Sequence, residues 1–207
     1  MRGERMKRMM LDLCSGFGGQ SEAFVLGGYD VLRIDNNPLL SEVPHTYIAD
    51  IMKHEFFNKS TVQMDYVHAG PTCLEFSEGY HAPKGRHRRS GDTEPYEPTH
   101  GLELVKRCKE IIDIIKPKYW SLENVQNVRG SIKYLTPFLG EPRLIVGPYV
   151  YWGNFPLFDI SIDLLPSKAQ LDKRHSPLRM NHRAECPLLL SQAFFNAMAS
   201  QKSITDY

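Results

Sequence analysis

Two residues suited to nucleophilic and acid–base chemistry lie fifty positions apart, each tied to an apolar run. Cys73 follows MDYVHAG (64–70) across Pro71 and Thr72, and Glu123 sits inside YWSLENV (119–125). A thiolate is a nucleophile, and a carboxyl group can hold or deliver a proton. Each also has a plainer reading. Most free cysteines are small buried hydrophobes, and a glutamate near a strand end can simply hold a loop. A glutamate within an apolar strand is nevertheless costly unless it is paired or used.

A second group of residues has the spacing of a ligand site. In LDLCSGFGG (11–19), Gly16, Gly18 and Gly19 follow an apolar run and precede SEAFVLGG (21–28), which reads as a helix closed by Gly27 and Gly28. Nineteen positions after Gly16 comes Asp35, at the end of the next apolar run, where a carboxylate can bond a ribose hydroxyl pair. Asp50 ends a third run and adds a polar group at the same edge. The glycine pattern is GxGG rather than GxGxxG, which favours a nucleoside-containing cofactor over a dinucleotide.

The elements that must position these residues alternate. MMLDLCS (9–15), DVLRID (30–35), HTYIAD (45–50), MDYVHAG and YWSLENV read as strands. LELVKRCKEIIDIIK (102–116) is the clearest helix, with Leu102, Val105, Cys108, Ile112 and Ile115 on one face and Pro117 ending it. Strands separated by helices predict an α/β fold, a mostly parallel open sheet with helices on both faces. IKYLTPFLG (132–140) predicts a short helix, RLIVGPYVYWGNFPLF (143–158) one or two strands, and LLLSQAFFNAMA (188–199) a closing helix. HAPKGRHRRSGDTEPYEPTH (81–100) reads as a loop, mobile and beside the site.

The chain has 207 residues, 42% of them hydrophobic and 24% charged, which suits one domain over 1–207. A formal net charge of +1 does not announce a nucleic-acid binder, so any such surface must come from local clusters. The four cysteines form no CxxC pair and no zinc-ligand spacing, which predicts no metal site and reduced, cytoplasmic thiols. MRGERMKRMM lacks the apolar core of a signal peptide and reads as a solvated lead-in, and no run is long enough to span a membrane.

LDLCSGFGG, AGPTCLEFS and SLENV, in that order, resemble the motifs of cytosine-C5 DNA methyltransferases over roughly residues 9–130. The resemblance implies a Rossmann-like, S-adenosyl-L-methionine (SAM)-dependent fold. It implies that Cys73 adds to C6 of cytosine, that Glu123 assists at N3 and that Asn124 orients the site. Around SAM it places Asp12, Cys14, Gly16, Phe17 and Gly19, with Asp35 on the ribose and Asn36 beside the adenine. Asp50 and Ile51 would address the adenine edge, and Gly70 the methionyl end. The partner implied is DNA with its base flipped out of the stack. The same chemistry on RNA or free cytosine nucleotides is an alternative, as is an inactive SAM- or DNA-binding accessory protein. The chain length suits a compact phage or mobile-element enzyme.

Three features depart from the family pattern. Thr72 stands where a proline usually precedes the cysteine, and Leu74 where a glutamine usually follows it. No counterpart of the family's Gln-x-Arg-x-Arg motif is evident. Arg86, Arg88 and Arg89 could supply cations near the base or its phosphates, or be solvated loop charge. Finally, too few residues follow Val125 for a separate target-recognition domain, so readout would be short, relaxed or supplied by a protein partner. KRHSPLRMNHR (173–183) and the aromatic YVYWGNFP (149–156) offer further DNA contacts, though core packing accounts better for most of those aromatics.

Overall fold

The structure, a computed structural model, describes residues 7–53, 63–77, 82–91, 94–166, 170–171, 173 and 175–201. The first six residues of the basic lead-in lie outside these. Five parallel strands come first: β1 (Met9–Leu13), β2 (Asp30–Asp35), β3 (Thr46–Ile48), β4 (Tyr66–Ala69) and β5 (Tyr119–Val125). A hairpin of β6 (Leu144–Val146) and β7 (Tyr149–Asn154) completes the sheet, with β7 antiparallel to both β5 and β6. The spatial order is β3-β2-β1-β4-β5-β7-β6. Chain progression thus reverses between β1 and β4. That switch point is where open α/β sheets bind ligands, at the carboxyl ends of their strands.

Both faces of the sheet are covered, which explains why β4 is buried at every position. Helix α3 (His100–Ile115) lays Val105, Cys108, Ile111, Ile112 and Ile115 against Leu11, Leu13, Val67 and Leu122, joined by Leu135 of α4 (Lys133–Leu139). The opposite face packs Met10, Tyr66 and Tyr151 against Phe24 of α1 (Glu22–Leu26) and Leu190, Phe194 and Met198 of α6 (Leu188–Ala199). Each fully buried aliphatic side chain contributes about 1.5–3 kcal/mol. Lys116 closes α3 in the left-handed conformation, its N–H returning to the Ile112 carbonyl, and Pro117 prevents continuation. This is the Rossmann-like architecture that the resemblance implied.

The stretch 81–100 departs from expectation. Instead of a continuous loop it contains α2 (Pro83–Ser90), begun by Pro83 in the first turn and stopped by Gly91 in the left-handed conformation. A proline with its preset φ and a glycine at the helix end are start and stop signals that the surrounding charge obscured. Residues 81, 92 and 93 lie outside the described ones.

No helix among the described residues is long and apolar enough to cross a membrane.

Candidate active site

The turn after β1 is built around a buried arginine. Arg33 of β2 is only 2% exposed and donates to Ser21 Oγ (2.9 Å), the Gly18 carbonyl (3.1 Å), the Pro44 carbonyl (3.1 Å) and Glu22 Oε2 (2.7 Å). Gly18 has a φ of +76°, and a Cβ there would lie 2.1 Å from Arg33 Nε. Glycine at this position is therefore demanded by the protein's own packing. Gly16 has a different task. Its N–H donates to Asp35 Oδ2 at 2.9 Å, while the Asn37 N–H donates to Oδ1 at 2.9 Å. The carboxylate is fixed at the end of β2 with lone pairs left for a ligand.

Side-chain hydrogen bonds tie the turn after β4 to neighbouring segments. Asn124 Nδ2 donates to the Pro71 carbonyl at 3.2 Å, and Asn127 Nδ2 to the Phe76 carbonyl at 2.7 Å. Glu75 Oε2 accepts from the Gly101 N–H at 2.7 Å, at the start of α3. Within the turn, the N–H groups of Phe76 and Ser77 both bond the Cys73 carbonyl, at 3.0 and 2.9 Å. Phe76 is fully buried beneath. Cys73 is thus presented half-buried on a segment clamped at both ends.

These two turns face one cavity of about 400 Å³. On one side it is lined by Asp35, Asn36, Asp50 and Ile51, and centrally by Asp12, Cys14, Gly16, Phe17 and Gly19. On the other side stand Gly70, Cys73 and Glu123. Asp12 and Glu123, 111 positions apart in the chain, therefore line one cavity.

The floor of the cavity is polar and buried. Asp12 is 1% exposed and accepts from Ser21 Oγ at 2.6 Å. Burial pushes its carboxyl up to about 7, against the pull of the Ser21 bond and Arg33. Burial also pushes His68 down to about 3, so this imidazole is neutral at physiological pH. The Cys14 thiol is raised by its hydrogen bond with Cys108 and by burial, and the Cys186 thiol by burial and then by the charge of Glu123. Tyr66 and Tyr151 are raised by burial as well. Apart from the Asp12 carboxyl, these groups are uncharged at physiological pH.

Asn124, Arg86 and Arg89 fall outside the lining. Asn124 is fully buried and acts on the Cys73 turn from behind. Arg86 and Arg89 are exposed on α2, and the side chain of Arg88 lies outside the described residues. Lys84 of the same helix donates to the Arg129 carbonyl, which joins α2 to the turn following β5.

Sequence reasoning missed the cavity's far wall. The stretch read as a basic DNA-contacting cluster forms α5 (Arg179–Ala184), whose Met180 and Asn181 line the cavity. His182 stacks on Phe17 with ring centroids 4.5 Å apart, and Cys186 joins the lining. No local periodicity marks these contacts. His68 carried a fainter signal, a titratable residue inside the otherwise apolar YVHA.

No protein-family model matches the chain, and no curated protein matches it. Similar folds occur among solved structures. An E. coli prophage-encoded protein, assigned as a DNA modification methyltransferase, is 17% identical with a TM-score of 0.45, over 72% of this chain and 47% of that one. A Spodoptera frugiperda DNMT2 variant is 18% identical with a TM-score of 0.34, over 59% of this chain and 37% of that one. A human methyltransferase 10 domain containing protein is 14% identical with a TM-score of 0.38, over 73% and 74% respectively. The chain spans about half the length of the first of these.

Proposed function

We propose that the chain is a SAM-dependent methyltransferase acting on C5 of cytosine in DNA. The observation that carries this reading is the shared cavity: a thiol and a carboxyl group open onto the space that the Asp35 carboxylate and a glycine turn also face.

The residues present fit SAM. Asp35 is held by two backbone N–H groups with lone pairs to spare for ribose hydroxyls, and Asp50 and Ile51 lie beyond it for the adenine. At the other end, the missing side chain of Gly70 leaves His68 Nε2 and the Cys14 carbonyl facing open space, which suits the polar methionyl tail. When bound, SAM supplies an electrophilic methyl group on its sulfonium.

The chain's own residues prepare the acceptor. Cys73 forms the bond to C6, and the displaced electron pair moves toward N3, where Glu123 holds a proton. C5 thereby becomes nucleophilic. C5 would then take the methyl group as the bond from the methyl carbon to the sulfur of SAM breaks. Loss of the C5 proton to water and return of the N3 proton to Glu123 re-form the C5–C6 double bond and expel Cys73 as thiolate. Asn124 positions the nucleophile through the Pro71 carbonyl. Base flipping is required because a duplex hides these atoms. Arg86 and Arg89, with the exposed Arg129, offer cations for phosphates.

Covalent trapping on DNA containing 5-fluorocytosine tests this, because fluorine at C5 blocks the final elimination. A SAM-dependent adduct that disappears in Cys73→Ala supports the reading. A folded, SAM-binding protein that forms no adduct with single- or double-stranded DNA overturns it, and an adduct with RNA instead reassigns the substrate.

A further inference from the structure

His68 has no part in the chemistry above, yet it is 4% exposed and faces the cavity. It stands in register with Asp12 on β1 and Ser121 on β5. Its Nδ1 lies 2.8 Å from Ser121 Oγ, which lies 2.6 Å from Tyr66 Oη, and Gln20 Nε2 reaches that oxygen at 3.4 Å.

Proton counting sets the direction of this chain. The Gln20 amide nitrogen can only donate, so Tyr66 accepts from it and passes its own proton to Ser121. Ser121 has one proton, which goes to His68 Nδ1. The neutral ring therefore carries its hydrogen on Nε2. The opposite direction would leave the buried Tyr66 hydroxyl hydrogen, and donation by both Tyr66 and Nδ1–H to Ser121 the Ser121 hydroxyl hydrogen, without an acceptor among the described residues, a cost of about 1–3 kcal/mol.

That Nε2–H has no partner among the described residues. A Cβ on Gly70 would sit 3.5 Å from Nε2 and 3.6 Å from the Cys14 carbonyl oxygen, so glycine leaves both open to the same gap. The Cys14 carbonyl accepts no backbone hydrogen bond among the described residues. Asp12 lines the cavity beside them. A donor and an acceptor across one gap, next to a carboxyl group, match the carboxylate and ammonium of an α-amino acid.

The geometry points to His68 as the donor that reads the carboxylate of the cofactor's amino-acid tail, held in its donating tautomer by Ser121 and Tyr66. The Cys14 carbonyl and Asp12 take the ammonium. This assignment rests on the reading of the cavity as a SAM site. It makes His68 a specificity residue that separates intact SAM from adenosyl compounds without the carboxylate.

Calorimetric titration of the full chain with SAM, decarboxylated SAM and methylthioadenosine tests it. The wild-type protein should prefer SAM over decarboxylated SAM by about tenfold or more, the scale of a hydrogen bond to a charged group. In His68→Phe that ratio should collapse toward one, while affinity for methylthioadenosine moves by less than about twofold. An unchanged ratio in His68→Phe, or no carboxylate preference in the wild type, overturns the assignment alone. Binding of none of the three ligands by folded wild-type protein overturns the SAM reading and His68 with it. The tautomer gives a check that needs no variant. Nitrogen-15 spectra of histidine-labelled protein should show His68 protonated at Nε2, and protonation at Nδ1 contradicts the assignment.

Discussion

Asn124 reaches backward from β5 and donates its amide hydrogen to the Pro71 carbonyl at 3.2 Å, so a strand residue controls a turn 53 positions earlier. Replacing Asn124 with Ala leaves that carbonyl unpaired and frees one end of the Cys73 segment. A stability loss of about 1–3 kcal/mol is expected. Adduct formation in single turnover should slow more than about tenfold, since small displacements of a reacting atom are costly. SAM affinity should stay within about twofold. Asn124→Asp, the same shape without the donor, should behave alike. An adduct rate equal to wild type in both variants would remove the positioning role.

Asp12 predicts a pH dependence of stability. Burial raises its carboxyl from 3.8 to about 7 in the folded protein. Between those values the native state binds more protons than the unfolded chain, so this group's contribution to stability falls as pH rises from about 4 to about 7 and then levels off. Asp12→Asn should flatten that part of the profile in urea-unfolding midpoints taken from pH 4 to 8. SAM binding near pH 6 should also release a proton, because an ammonium beside Asp12 favours its ionised form. Calorimetric heats that differ between buffers of different ionisation enthalpy would register it. Equal heats in all buffers would remove Asp12 from the ammonium site.

Gly18→Ala tests whether this glycine serves the protein or a ligand. The new Cβ would lie 2.1 Å from Arg33 Nε at a φ of +76°, and Arg33 is tied by four hydrogen bonds and cannot step aside freely. A destabilisation of about 2–4 kcal/mol is expected. Thermal unfolding without ligand is sufficient to measure it. A stable variant with lost SAM binding would point to the ligand instead.

The arginines of α2 make an electrostatic prediction. If Arg86 and Arg89 each neutralise a phosphate, each Ala replacement lowers the slope of log K against log salt by about 0.9 on duplex DNA. Fluorescence anisotropy across a potassium chloride series reads this directly. Slopes identical to wild type would assign both residues to solvated surface charge.

Much of the scaffold was legible in the chain itself. The five parallel strands and α3 announce themselves because apolar periodicity and helix stops are local properties, visible in MMLDLCS, YWSLENV and the spacing of Val105, Cys108, Ile112 and Ile115. Asp35 and Cys73 stood out because strand ends are where an α/β sheet exposes chemistry. Helix α2 did not, since two backbone signals at Pro83 and Gly91 were set among charges with no apolar stripe.

What only the tertiary structure decided is which of these residues meet. The sheet order places β4 between β1 and β5, bringing Asp12, His68 and Ser121 side by side on one face. Packing of α5 over the glycine turn adds Asn181, and Asn124 proves to face the Cys73 turn rather than the cavity. Local sequence sets which elements form and which side chains they carry. Register, strand order and the direction of buried hydrogen bonds arise when distant segments compete for the same core, and these choices turn separate motifs into one site.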